Sequence, residues 1–138
     1  MPGRATVRPI AFVTLGANFA AYGSDSTRYG FDAAVEYLGA AFEGEYIGQH
    51  LDGGIVDDNG WYAQGTCRVL PWVQLVLKQE DFRRSEIDEA LRNRATTGGV
   101  NVNFGGGKVR LLADYVSRKI GTPGTRKSQL ITQAQVKF

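Results

Sequence analysis

Gln129-Leu130-Ile131-Thr132-Gln133-Ala134-Gln135-Val136-Lys137-Phe138 is the stretch from which the fold is read. Side chains of an extended chain alternate between two faces. Leu130, Thr132, Ala134, Val136 and Phe138 therefore share one side, and Gln129, Ile131, Gln133, Gln135 and Lys137 share the other. This is an amphipathic strand that stops on an aromatic ring. One strand decides little, so the test is whether the pattern repeats along the rest of the chain.

Working back from that strand, Val109, Leu111, Ala113 and Tyr115 alternate with Arg110, Leu112, Asp114 and Arg118. Val100, Val102 and Phe104 alternate with Gly99, Asn101 and Asn103, and Val73, Leu75 and Leu77 with Gln74, Lys78 and Glu80. Trp61, Ala63, Gly65, Cys67 and Val69 oppose Tyr62, Gln64, Thr66 and Arg68. Phe42, Gly44 and Tyr46 oppose Glu43 and Glu45, with Ile47 as an exception; Tyr29, Phe31, Ala33, Val35 and Tyr37 oppose Arg28, Asp32 and Glu36. From 11 to 22 the odd positions are again apolar. Period-2 alternation bounded by Gly, Pro, Asn and Asp marks strands. The reading is a single all-β domain over 1–138, with about eight antiparallel strands between about 11 and 138.

The connections expected between these strands alternate in length. Short ones fall at 38–40, 69–72 and 105–107, and longer ones at about 23–27, 50–60, 81–97 and 119–128. All the short ones lie at one end of the strands. Within 81–97, Ser85-Glu86-Ile87-Asp88 has the form of a helix-capping box, which predicts a short helix there.

Composition narrows the class. Eighteen Gly, seven Phe and six Tyr against one His, one Cys and one Met suit strands and turns. Mean hydropathy is −0.23, and no apolar run of transmembrane-helix length exists, but membrane barrels show only alternation. A net charge of +2 gives no argument for nucleic acid. The lone Cys67 forms no intrachain disulfide. Residues 1–10 lack the apolar core and cleavage site of a secretory signal. An exported protein then requires a removed signal or upstream sequence.

Alternation does not say which face is inside. A lipocalin-like soluble barrel keeps its apolar face within; a membrane barrel turns it to lipid. Three features favour lipid. The polar face carries balanced charge: Arg28, Arg68, Lys78, Arg110, Arg118 and Lys137 against Asp32, Glu36, Glu43, Glu45, Glu80 and Asp114, of which all but Lys137 and Glu80 are expected to line an ion pathway. The apolar face is rich in Ala and Gly. Aromatics gather at the strand ends, Tyr37, Phe42, Trp72, Phe104 and Phe138 at one and Tyr22, Tyr29 and Trp61 at the other, as in interfacial girdles. The fold class expected is an antiparallel up-and-down transmembrane β-barrel.

The segments Phe42-Glu43-Gly44-Glu45-Tyr46, Gly60 to Gly65, Gly99 to Phe104, Val109 to Tyr115 and Gln133 to Phe138 resemble the C-terminal part of the phosphate-selective porin O/P family. The terminal strand also resembles the closing strand of bacterial outer-membrane barrels, in which Val136 and Phe138 correspond to the signal read by the barrel assembly machinery. The resemblance implies a bacterial outer-membrane channel for phosphate or other small anions and solutes, sixteen-stranded and often homotrimeric. About eight strands make either a complete small barrel or the C-terminal half of such a porin. Closed on themselves, eight strands leave an interior filled by side chains. The even charge balance argues against strong anion preference.

Other constellations have plainer readings. Gly105-Gly106-Gly107-Lys108 lacks the Ser or Thr of a phosphate-binding loop and reads as a hairpin turn. His50 has no nucleophile motif beside it, and Asp52, Asp57 and Asp58 lack the spacing of a calcium loop. No catalytic set, metal site or cofactor is expected. The expected function is passive diffusion of small solutes across the outer membrane. The alternatives are a non-conducting outer-membrane barrel with structural or adhesive loops, and a soluble lipocalin-like binder.

Overall fold

The computed structural model describes residues 2–22, 26–51, 57–84, 92–121 and 124–137. Nine strands follow one another: β1 Pro2–Ile10, β2 Val13–Tyr22, β3 Ser26–Tyr37, β4 Ala40–Leu51, β5 Asp57–Leu70, β6 Val73–Arg83, β7 Asn93–Phe104, β8 Val109–Ile120 and β9 Thr125–Val136. Each pairs antiparallel with the next, giving one up-and-down sheet in chain order. No pairing joins β1 to β9, so the sheet is open. Among the described residues the only helical segment is a 3-10 turn at Gly105–Gly107, and no helix is long and apolar enough to cross a membrane.

The strand count exceeds the eight expected because Pro2–Ile10 forms an edge strand. Two prolines there hide it in the sequence, yet an edge strand needs only one row of N–H donors and tolerates them. The strands are also longer than their apolar alternation. β6 and β7 pair as far as Asp81 with Arg94 and Phe82 with Asn93, and β8 and β9 as far as Ile120 with Thr125. The connections thus shrink to 84–92 and 121–124, and His50, Asp57 and Asp58 lie within β4 and β5 rather than in a loop. The helix expected at Ser85 to Asp88, and Phe138, lie outside the described residues.

The four short turns are built alike. The carbonyl of Phe12 accepts from the Glu36 amide at 3.0 Å, that of Gly39 from Arg68 at 2.9 Å, and those of Trp72 and Lys108 from Asn103 and Lys137, each at 2.8 Å. Every hairpin tip is therefore held by the strand that follows it. The tips also step regularly. Val13, Tyr37, Val73 and Phe104 flank successive tips, and through the register they fall on the β7 positions Gly98, Val100, Val102 and Phe104. Each hairpin thus sits one side-chain pair beyond the last, or one residue of stagger per strand. With a rise of ~3.3 Å per residue and ~4.8 Å between strands, this tilts the strands by about 35° to the line of tips. Closed barrels have this order of tilt.

The register puts the apolar side chains on one face of the whole sheet: Leu15, Phe31, Val35, Phe42, Tyr46, Trp61, Leu75, Leu77, Val100, Leu111, Tyr115 and Val136. All of these are exposed. The polar face is the sheltered one. Along β8, Leu111, Ala113 and Tyr115 are exposed while Arg110, Leu112, Asp114 and Val116 are half-buried. Along β7, Ala95 and Asn101 are buried between exposed Arg94, Thr96 and Val100. The sheet therefore curves around its polar face. Ala95 is the only buried hydrophobic side chain described, so the sheet has no apolar core of its own.

Aromatic rings meet in pairs along the apolar face. Phe12 and Tyr37 are 5.7 Å apart, and Trp72 stacks on Phe104 at 6.4 Å, both at the short-turn end. Tyr29 meets Phe31 and Tyr46 at 6.4 and 6.2 Å towards the other end.

At the second tip, Leu38 and Gly39 both have positive φ, 48° and 81°, as a two-residue type I′ hairpin requires. A leucine pays for this conformation, and its side chain is 87% exposed and packs on little. Leu38→Asn is expected to stabilise the folded protein by about 1 kcal/mol, read as a higher urea midpoint with an unchanged slope. A lower midpoint would show that Leu38 contributes more by contact than it costs in backbone conformation.

Candidate functional site on the sheltered polar face

All ten charged residues expected to line the pathway share one face. Asp32 on β3 pairs with Glu45 on β4, and the same row continues through Tyr62, Glu80 and Ala95 to Arg118. Glu43 leads through Gln64 to Lys78, and Asp114 through Gly99, Val76, Thr66 and Ala41 to Glu36. Arg28, Arg68 and Arg110 occupy rows above and below. Further cations on this face include Arg4 and Lys127, and Arg84 at its long-connection end. Arg4 belongs to the unexpected edge strand, and Lys127 lies in a segment expected to be a loop.

The contacts explain how so much charge is held. Asp32 and Glu45 are directly opposed like charges, which is destabilising unless a cation intervenes. Arg4 Nη2 supplies one at 3.4 Å from Asp32 Oδ1. It spans from β1 to β3 because Gly16 on β2 leaves a gap, and the Asp32 carboxylate lies where a Gly16 Cβ would stand. Gly99 receives the Asp114 carboxylate in the same way. Glu43 accepts from Gln64 Nε2 at 3.2 Å. Lys78 Nζ lies 3.0 Å from Glu80 Oε1 and 4.9 Å from the centre of the Tyr62 ring. Asn101 donates to Gln74 across β6 and β7 at 3.2 Å.

Charge is not spread evenly. Acids concentrate on β3 and β4, as Asp32, Glu36, Glu43 and Glu45, and bases on β8 and β9, as Arg110, Arg118 and Lys127. Near the long connections, Asn18, Arg28, Gln49, Asp58, Phe82 and Arg84 line a concavity of about 620 Å³. That volume suits a small polar solute. No group of three or more His, Cys, Asp and Glu able to hold a metal occurs among the described residues. Cys67 is exposed on the apolar face.

Beyond the apolar band the other face turns polar. Thr96 donates to Gln79 at 2.6 Å. Asp81 accepts two bonds from Arg92, at 2.9 Å from Nε and 2.6 Å from Nη2, and Arg94 Nε lies 3.3 Å away. This bidentate clamp fixes the chain entering β7. Sequence reading missed it because the pair becomes visible only through the β6–β7 register.

No family model, curated protein or solved structure matches this chain.

The hydrogen bond from Arg92 holds the Asp81 carboxyl below its ordinary value of 3.8; partial burial opposes this, and the charges of Arg92, Arg94 and Arg83 reinforce it. A lowered folded pKa stabilises fully above 3.8, and the contribution fades as pH falls through the depressed value. Acidification below 3.8 is therefore expected to loosen β6–β7 at this end, and Asp81→Asn to do so at neutral pH by roughly 1–3 kcal/mol. Hydrogen exchange at the amides of 92–96 reads both. Unchanged protection in Asp81→Asn would show that the clamp holds nothing.

Proposed function

We propose that this sheet is part of the wall of a bacterial outer-membrane β-barrel whose polar interior passes small solutes by diffusion, without catalysis. One observation carries the reading: along β3 and β6 to β8 the polar face is the more sheltered and the apolar face the more exposed. A water-soluble barrel has the opposite arrangement, since apolar burial drives its folding. Here that burial requires lipid, which argues equally against the lipocalin-like alternative.

On β3 the length of the apolar face agrees with a bilayer; on β6 to β9 it ends sooner, at Leu77, Gly98, Tyr115 and Leu130. From Tyr37 to Tyr29 this face of β3 stays apolar. That is roughly 26 Å of strand, or about 22 Å along the normal at the tilt above, close to the ~25 Å band of outer-membrane barrels. The ring pairs at the short-turn end and the Tyr29 and Tyr46 rings at the other lie at its two borders. The resemblance of five segments to phosphate-selective porins adds a solute class. The polar face, on which Arg4, Arg84, Lys127 and Asp58 join acids and bases already mixed, supports a weakly selective pathway rather than a strongly anion-selective one. The barrel is completed by strands outside this sheet.

Function is tested by conductance. Assembled protein in planar bilayers is expected to conduct with a small reversal potential in a salt gradient. Asp32→Asn with Glu45→Gln should move that potential towards anions, and Arg110→Gln with Arg118→Gln towards cations. A bilayer without conductance leaves the structural barrel as the reading. The face assignment has its own test. Leu111 and Leu112 are neighbours on opposite faces, so Leu111→Arg is expected to cost ~1–2 kcal/mol in lipid, between the values at midplane and interface, and Leu112→Arg far less. Cooperative folding of the monomer in detergent-free buffer would sink the proposal.

A further inference from the structure

We propose that the lipid-side face carries a docking row for the phosphate headgroups of membrane lipid, formed by Arg94, Lys119 and Arg126. This rests on the reading of the apolar face as lipid-facing. The three are consecutive members of one cross-strand row: Asp81 on β6 opposes Arg94 on β7, which opposes Lys119 on β8, which opposes Arg126 on β9. Directly opposed side chains stand about 5 Å apart, and like charges so placed repel. Asp81 meets only the first of them, and it already accepts the bidentate clamp of Arg92. Among the described residues no ion pair takes up Lys119 or Arg126, both of which are exposed. A phosphate seated between them replaces repulsion with charge-assisted hydrogen bonds.

The position of the row points to lipid rather than to a dissolved anion. Along β6 to β9 the face passes through three layers. Leu77, Gly98, Tyr115 and Leu130 form the last apolar row; Gln79, Thr96, Ser117 and Ser128 form a neutral polar row; the cations come next. A bilayer border has the same order of hydrocarbon, polar linkage and phosphate. Lys119 lies roughly 13 Å of strand beyond Tyr115, or about 11 Å along the normal. The headgroup layer is about 5–7 Å deep on each side, and Lys and Arg reach back into it on apolar stems. The short-turn border ends on the rings of Phe12, Tyr37, Trp72 and Phe104, whereas the long-connection border carries rings on β3 and β4, at Tyr29 and Tyr46, and cations on β7 to β9. Cations therefore mark the rim of β7 to β9 on the side of the long connections.

The test compares two adjacent charge pairs on opposite faces. Lys119 pairs with Arg126 on the lipid side, and Arg118 with Lys127 on the sheltered side. Binding of fluorescent phosphatidylglycerol to the detergent-folded chain, and insertion into phosphatidylcholine vesicles with and without phosphatidylglycerol, are measured for each double variant. Lys119→Gln with Arg126→Gln is expected to weaken lipid binding about 5-fold per cation. Arg118→Gln with Lys127→Gln removes the same charge and is expected to leave it unchanged. Equal losses in both doubles, or none in the first, overturn the proposal. Displacement of the lipid by inorganic phosphate alone at comparable concentration overturns the assignment to lipid. Assembled wild-type protein that enters neither vesicle overturns this proposal together with the lipid-facing reading, whereas entry with phosphatidylglycerol binding unchanged in Lys119→Gln with Arg126→Gln overturns this proposal alone.

Discussion

The antiparallel ladder is the interaction on which everything else in this molecule depends. A single curved sheet with one buried hydrophobic side chain described, Ala95, has no core to fall back on. Its backbone groups are satisfied strand by strand, and even the hairpin tips give their carbonyls to the next strand, as Phe12 does to Glu36 and Trp72 to Asn103. That regularity matters most where water is absent, because an unsatisfied N–H or C=O in hydrocarbon costs several kcal/mol. The side chains then divide the remaining tasks. The apolar face cannot be sheltered by this sheet, so its burial requires a surrounding medium. The charged face is sheltered by curvature and neutralises itself locally, with Arg4 at Asp32 and Lys78 at Glu80.

Strand parity constrains how such a sheet becomes a barrel. All eight pairings are antiparallel, so β1 and β9 run in the same direction. Joining them directly would create the one parallel pair in the structure. A ring of copies about the barrel axis meets the same obstacle, because rotation about that axis preserves strand direction and β9 would meet the next copy's β1 in parallel. An all-antiparallel barrel containing this sheet therefore needs an odd number of intervening strands. The stagger of one residue per strand already sets the tilt such a barrel requires, so the sheet is compatible with closure in slope while incomplete in number.

Much of this was legible in the sequence because period 2 is independent of partners. The ten charges expected to line the pathway, from Arg28 to Arg118, fall on one face of the sheet for that reason alone. The alternation of shorter and longer connections also survives in order, as 11–12, 38–39, 71–72 and 105–108 against 23–25, 52–56, 84–92 and 121–124. The contrast is smaller than expected, since 105–108 and 121–124 are alike in length. What could not be read has one physical cause. Strands continue past the apolar band, where Asp81, Arg94, Lys119 and Arg126 make both faces polar, and alternation ceases to be a signal just where pairing still holds. Ile47, Leu112, Val116 and Ile131 on the sheltered face blur it from the other side. Contacts such as Arg4 with Asp32 need the register across Gly16, which no single segment contains.

The uneven charge on the sheltered face bears on selectivity in a way that net charge does not. Glu36, Glu43 and Glu45 cluster on β3 and β4, while Arg110, Arg118 and Lys127 cluster on β8 and β9, several strands away around the curve. On the proposed reading these are different sectors of one lumen. Opposite charges in contact cancel, but opposite charges on separate walls leave a field across the space between them, strengthened by the low dielectric of the surrounding protein and lipid. Such a field orients a dipolar solute and favours neither sign of simple ion. A wall of this kind therefore contributes orientation, and any preference between anions and cations has to come from the strands that complete the ring.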